Sequence, residues 1–163
     1  MSVFTPEAES PFAGFRFQVN FLQQGSRVSL ARGAFSECSG LEATMEPEVI
    51  KEGGRNYGPA QRVGPVTFAE VALKRGLTSN WDLWKWFYKV AGGSFAYRLD
   101  VEITILGPGD PDRSPPRFVW KLERCLPTKF KAPDLDAASD QIAVEELHLV
   151  HEGLWLVESG GAG

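Results

Sequence analysis

Between Phe15 and Phe21 every second residue is large and apolar: Phe15, Phe17, Val19 and Phe21, with Arg16, Gln18 and Asn20 between them. A period of two belongs to a β-strand with one dry face and one wet face, and no helix can satisfy it. The pattern recurs. Leu99, Val101, Ile103 and Ile105 alternate with Arg98, Asp100, Glu102 and Thr104. Phe118, Trp120 and Leu122 alternate with Lys121 and Glu123. A chain written this way must build antiparallel sheets around a shared core.

The segments between these runs complete the outline. Gln23-Gln24-Gly25-Ser26 reads as a turn. A second strand spans about Arg27 to Glu37, interrupted near Gly33, and Ser39-Gly40 breaks the chain again. Leu41 to Lys51 is extended, and Pro47 places it at a sheet edge or on a bulge. A glycine-rich loop covers Gly53 to Pro59, and Val63 to Leu73 is extended again. Gly107 to Pro116 forms a hairpin loop, Pro127 breaks the strand before it, and Lys129 to Lys131 is a short extended piece. Ile142 to His151 is the last long strand, which Leu154 to Val157 extends. The reading gives roughly eight strands.

One helix is predicted, over residues 80–90, with Ser79 or Asn80 as its N-cap and Gly92-Gly93 at its end. Asp82, Lys85 and Lys89 share a stripe. Trp84, Phe87 and Tyr88 fall beside Leu83, Trp86 and Val90 on the broader apolar side. Trp81, Trp84 and Trp86 point in different directions, so one of them is expected to touch something beyond its own fold. The fold class is therefore mainly β: a small antiparallel sandwich or barrel-like domain with one packed α-helix. Residues 1–11 read as a flexible N-terminal arm, 12–157 as a single domain and 158–163 as a disordered tail.

Composition bounds the function. With 163 residues the chain suits one domain and buries roughly 70% of its unfolded surface without staples. The formal net charge of −4 leaves no overall basic footprint, so no specific nucleic-acid binding is expected. Two cysteines, Cys38 and Cys125, are too few for a disulfide framework. The N-terminus lacks a basic and then apolar signal pattern, and no apolar run approaches the ~20 residues that span a bilayer. The chain is expected to be made in the cytoplasm without a signal peptide, and not to insert into membranes.

The search for catalytic chemistry finds no motif. There is no GxxxxGK[ST] loop, no GxGxxG turn and no GxSxG elbow. His148 and His151 are the only histidines, and on one strand their odd spacing sends them to opposite faces, against joint metal ligation. Asp134, Asp136, Asp140 and Glu145 imitate part of a calcium loop, but Ala138 and Ser139 stand where a ligand and the turning glycine belong. An Asx-type turn accounts for them. No catalytic residue, metal ligand or cofactor is assigned.

Several phrases occur in order across residues 11–154. They are PFAGFRFQVNF, then FSECSGLEATMEPEVIKEGG, then VTFAEVALKRGLTSNWDLWKWF, then APDLDAASDQIAVEELHLVHEGL. This series resembles the tube proteins of contractile tails, found in phage tails and in phage-tail-like extracellular injection particles. The resemblance implies a structural protein rather than an enzyme. It implies six copies per ring, with inner sheets joined into one barrel around a lumen, and rings stacked into a tube inside a contractile sheath. The implied partners are further copies of the chain, sheath subunits, baseplate or spike and tail-terminator proteins, and cargo in the lumen. The resulting particle is one that can be released from the cell.

The charged, glycine-tipped stretch from Glu42 to Gly58 is the candidate for contacts between rings or subunits. Its named residues are Glu46, Glu48, Lys51, Glu52, Arg55, Asn56 and Tyr57, with Trp81 added from the helix. A tube-initiating subunit, a monomeric β-domain that binds a ligand, and an enzyme with an unrecognised site stand as alternative readings.

Overall fold

The computed structural model describes residues 17–23, 29–33, 35–54, 56–106 and 116–158. Along the chain run β1 (Phe17–Gln23), β2 (Ser29–Gly33), β3 (Glu37–Ser39), β4 (Ala43–Ile50), β5 (Ala60–Phe68), β6 (Val71–Gly76), α1 (Asp82–Ala91), β7 (Leu99–Leu106), β8 (Pro116–Lys131), β9 (Val144–Val150) and β10 (Gly153–Glu158). The N-terminal arm, Phe15 and Arg16, the turn at 24–26, the loop at 107–115, Arg55 and the tail beyond 158 lie outside the described residues.

Eight strands share one antiparallel hydrogen-bonded sheet in the order β2-β1-β7-β8-β9-β6-β3, with β10 also on β8. The alternation in the sequence becomes burial. Val19, Phe21, Leu99, Val101, Ile103 and Leu122 are buried, and their neighbours are not. Val71, Leu73, Leu147 and Leu149 from β6 and β9 join the same core. Helix α1 adds Leu83, Trp86 and Val90, and the Trp86 ring meets Phe21 edge-on at 5.6 Å. Trp86 Nε1–H donates to the Tyr97 carbonyl at 3.3 Å, so its one polar atom is satisfied.

The structure corrects four sequence expectations. Pro127 does not end a strand: β8 continues for 16 residues through it to Lys131. Arg124 takes a positive φ of 52°, and at that bend the strand changes partners. β8 pairs with β10 up to Glu123 and with β7 up to Cys125, and from Leu126 on it pairs with β9, with a register shift between Pro127 and Lys129. A bulge absorbs the missing proline donor. Second, Val63–Leu73 is two strands, β5 and β6, parted at Ala69–Glu70. Third, Leu154–Val157 does not extend β9. It turns back as β10 and pairs antiparallel with β8. Fourth, the cap residue of α1 is Trp81, with no side-chain cap bond. Asn80 Oδ1 accepts from the Asp82 N–H instead, at 3.2 Å, and Asp82 Oδ1 accepts from the Leu83 N–H at 2.9 Å.

Other readings hold. Gly33 and Gly40 separate β2, β3 and β4, and Asp136 Oδ1 accepts from the Ala138 N–H at 2.9 Å in an Asx turn. The described residues contain ten strands against roughly eight expected, because three expected runs divide while the two pieces on either side of Pro127 merge into β8.

Candidate assembly surfaces

β4 and β5 form a separate two-stranded sheet, outside the main one. Every residue of β4 is exposed. Two strands with nothing behind them are at best marginally stable in water. This ribbon therefore needs a surface to lie on, and the rest of the described chain does not supply one.

Its register makes it amphipathic. Met45 lies opposite Val66, Pro47 opposite Val63 and Val49 opposite Gln61. Cross-strand partners share a face, so Met45, Pro47, Val49, Val63 and Val66 form one apolar face. Met45, Val49, Val63 and Val66 are between 46% and 61% exposed. The opposite face is polar apart from Ile50 and Ala60 at one end: Arg62 Nε–H donates to Glu48 Oε2 at 2.7 Å, beside Thr44 and Thr67. Pro47 sits at a bulge, since Gly64 and Pro65 together face the single residue Glu46.

The sequence candidates fall in three places. Glu46 and Glu48 stand on the polar side of β4, while Lys51, Glu52, Asn56 and Tyr57 lie around the exposed connection to β5. Tyr57 is 97% exposed. Arg55 lies outside the described residues. Trp81 belongs to a different surface at the start of α1, where it is 67% exposed beside a shallow hollow of about 210 Å³ lined by Leu77, Trp84, Phe130 and Pro133.

Sequence reasoning named the charges of the ribbon and missed its apolar side. It also missed β10, an edge strand whose Trp155, Leu156 and Val157 are exposed. An apolar edge of this kind is a ready template for pairing with another chain. The run Leu-Trp-Leu-Val carries that signal, which was absorbed into the wrong strand. The opposite border of this half of the sheet is β2, which pairs only with β1 among the described residues.

The remaining reactive groups are committed internally. Arg75 is buried and bonds Glu145 through Nε–H, and it donates from Nη2 to Asp82 Oδ1 at 2.6 Å. Its guanidinium also lies 5.6 Å from the centre of the Phe35 ring. Burial works against its charge, but the two carboxylates outweigh that and raise its pKa. Cys38 and Cys125 are free thiols. Burial pushes Cys38 up to about 11 and Cys125 further still, which suppresses the nucleophilic thiolate. No three His, Cys, Asp or Glu side chains are grouped to hold a metal ion among the described residues. No helix among them is long and apolar enough to cross a membrane.

Comparison with known proteins gives these shapes a context. The family model for the T4-like virus tail tube protein gp19 matches residues 13–155. A chain in the cryo-EM structure of the anti-feeding prophage baseplate, 6-fold symmetrised, is 28% identical, with TM-score 0.78 over 93% of this chain and 98% of that one. A chain in the extended sheath-tube complex of a PVC extracellular contractile injection system is 20% identical, with TM-score 0.73 over 93% and 94%. A chain in the anti-feeding prophage tube-terminating cap is 18% identical, with TM-score 0.73 over 97% and 99%. No curated protein sequence matches significantly.

Proposed function

The chain belongs to the T4-like virus tail tube protein gp19 family, and from that premise we propose that it forms hexameric rings stacked into the inner tube of a contractile injection particle. The family is structural, so the work of the chain is assembly and not catalysis. The observation that carries the proposal is the β4–β5 ribbon, an amphipathic two-stranded sheet with its apolar side uncovered. A second copy is the natural cover. A ring subunit meets its neighbours through two different surfaces, so a projecting element on one copy and a receiving surface on the next is the geometry that closes rings or extends them.

Within a ring, β2 of one copy pairs with β10 of the next. That removes both open edges and continues the sheet around a lumen. The polar side of this sheet, with Glu102 and Lys121 opposite each other on β7 and β8, faces the water inside. The ribbon reaches the adjacent ring through Glu46, Glu48, Lys51, Glu52, Arg55, Asn56 and Tyr57. Trp81 touches a neighbour from the helix. Residues 12–157 act as the one tube domain. Sheath subunits surround the tube, and baseplate, spike and terminator proteins close its ends.

Negative-stain electron microscopy with sedimentation velocity tests this. The full chain is expected to give rings of uniform diameter or stacked tubes, and a clean monomer at high concentration contradicts it. Deleting Gly53–Gly58 leaves soluble protein that no longer stacks; normal tubes from that deletion remove the ribbon from the contact. Trp81→Ala changes monomer stability by less than about 0.5 kcal/mol, as exposed positions do, yet lowers the assembled fraction. Equal loss of stability and assembly sinks the contact role for Trp81.

A second reading rests on the likeness to a chain in a baseplate structure: the subunit starts the tube at the baseplate instead of filling its length. Copy number per particle separates the two readings, a single ring's worth for an initiator and many rings for the main tube.

A further inference from the structure

The chain has only two histidines, and both meet the root of the ribbon. The ribbon leaves the body after Gly40 and returns through Phe68, Ala69 and Glu70, with the Ala69 N–H donating to the Glu42 carbonyl at 3.2 Å. Glu70 Oε1 lies 2.7 Å from His148 Nδ1, and Glu146 Oε1 bonds the other ring nitrogen of His148. Both nitrogens face carboxylate oxygens, so both can donate only when the ring carries two protons. Two residues earlier along the return path, the Phe68 ring rests 4.9 Å from the His151 ring. His151 is buried. Its Nδ1–H donates to the Gly153 carbonyl at 3.0 Å, and its Nε2 is buried without a partner among the described residues. A second proton there would meet no acceptor.

The geometry points to a proton-operated hinge at the root of the ribbon, held closed while the buried His151 ring against Phe68 carries a single proton. The inference rests on the reading that the ribbon joins copies of the chain; the hinge then sets when the ribbon is presented for docking.

The charged surroundings of the two rings differ. Around His148 stand Glu146 on its own strand and Glu70 at the ribbon root. Lys129 of β8 is its register partner, Lys131 of β8 lies opposite Glu146, and Lys74 of β6 is engaged with Glu37 at 3.2 Å. The bond to His148 holds the Glu146 carboxyl below the usual range. Around His151 the nearest charges are turned elsewhere. Glu152 is taken by Arg98 and Arg124, and Glu123 lies across the strand at Gly153. Burial lowers the proton affinity of His151, opposed only by its bond to Gly153. A closed root therefore binds less proton than an open one once the pH falls below the ordinary histidine value of about 6.5, and acid favours opening.

The test uses the full ¹⁵N-labelled chain, kept below the concentration at which it assembles. Imidazole nitrogen shifts give the protonation state of each ring, and amide exchange at Phe68–Glu70 gives the root. Exchange, corrected for its intrinsic pH dependence, is expected to be slow above the His151 titration and about tenfold faster below it. His151→Phe keeps a ring against Phe68 and should erase the faster exchange at low pH. Root amides protected equally on both sides of the His151 titration in the unmutated chain overturn the hinge, whether or not the variant folds. Electron microscopy at the same pH values tests the other reading separately: a root that opens while tubes persist keeps the hinge and removes the ribbon from the contact between copies.

Discussion

Arg75→Leu should lower the free energy of unfolding by about 3–5 kcal/mol, the range found when one partner of a buried ion pair is removed. Arg75 is 4% exposed, and its guanidinium answers two carboxylates at once, Glu145 on β9 and Asp82 at the start of α1. Leucine restores packing against Phe35 but leaves Glu145 buried without its cation. Domains of this kind are stable by only about 5–15 kcal/mol, so such a loss should appear as a large drop in the urea midpoint with little change in slope. The mechanism makes a second demand. Glu145→Leu combined with Asp82→Asn in the Arg75→Leu background should recover most of the loss, because a fully apolar replacement of a buried ionic cluster is often neutral. No recovery in the triple variant would mean that the cluster stabilises through its own attraction and not merely by neutralising buried charge.

Gly40→Ala is the second large effect, an expected loss of at least about 3 kcal/mol, as for a residue forced into a strained backbone against a fixed neighbour. Gly40 has a φ of +89°, which a side chain tolerates poorly. A β-carbon there would also overlap the Glu70 carbonyl oxygen and come within 3.1 Å of the Val71 Cα. Those atoms are backbone at the start of β6 and cannot swing aside. The strain falls at the root of the ribbon, so the variant should lose assembly together with stability. Gly54→Ala is the control. It shares a positive φ of +84° but meets nothing within 4 Å, so it should cost no more than about 1–2 kcal/mol from conformation alone. Equal losses at the two glycines would show that the close approach to Glu70 does not matter.

Much of the body could be read without a structure, because alternation reports directly on which side of a strand is dry. Val19, Phe21, Val101, Ile103 and Leu122 are buried as their periodicity requires, and α1 buries Leu83, Trp86 and Val90. Pro127 misled because a proline lacks a donor. The sequence alone does not reveal that β8 changes partners at a bend just before it, where a missing donor is tolerated. β10 was folded into β9 because an apolar run carries no information about which way the chain turns.

The candidate surfaces were legible in part. The glycine-tipped, charged stretch from Glu42 to Gly58 marked the ribbon, but its apolar side depends on cross-strand register. Register is fixed by the bulge at Gly64–Pro65, which sets Val63 and Val66 on the same side as Met45 and Val49. A list of residues holds no such pairing.

By itself, then, the sequence determined the local periodicities, the breaks at Gly33 and Gly40, and the absence of familiar catalytic motifs. Each is a property of neighbours along the chain. Only the tertiary structure decided the rest. It brought Arg75, Asp82 and Glu145 into one cluster, set both histidines at the root of the ribbon, and left β10 as an open edge. These depend on strands that meet after long separations in sequence. Such contacts are chosen by shared burial and backbone pairing over the whole fold, which no local pattern encodes.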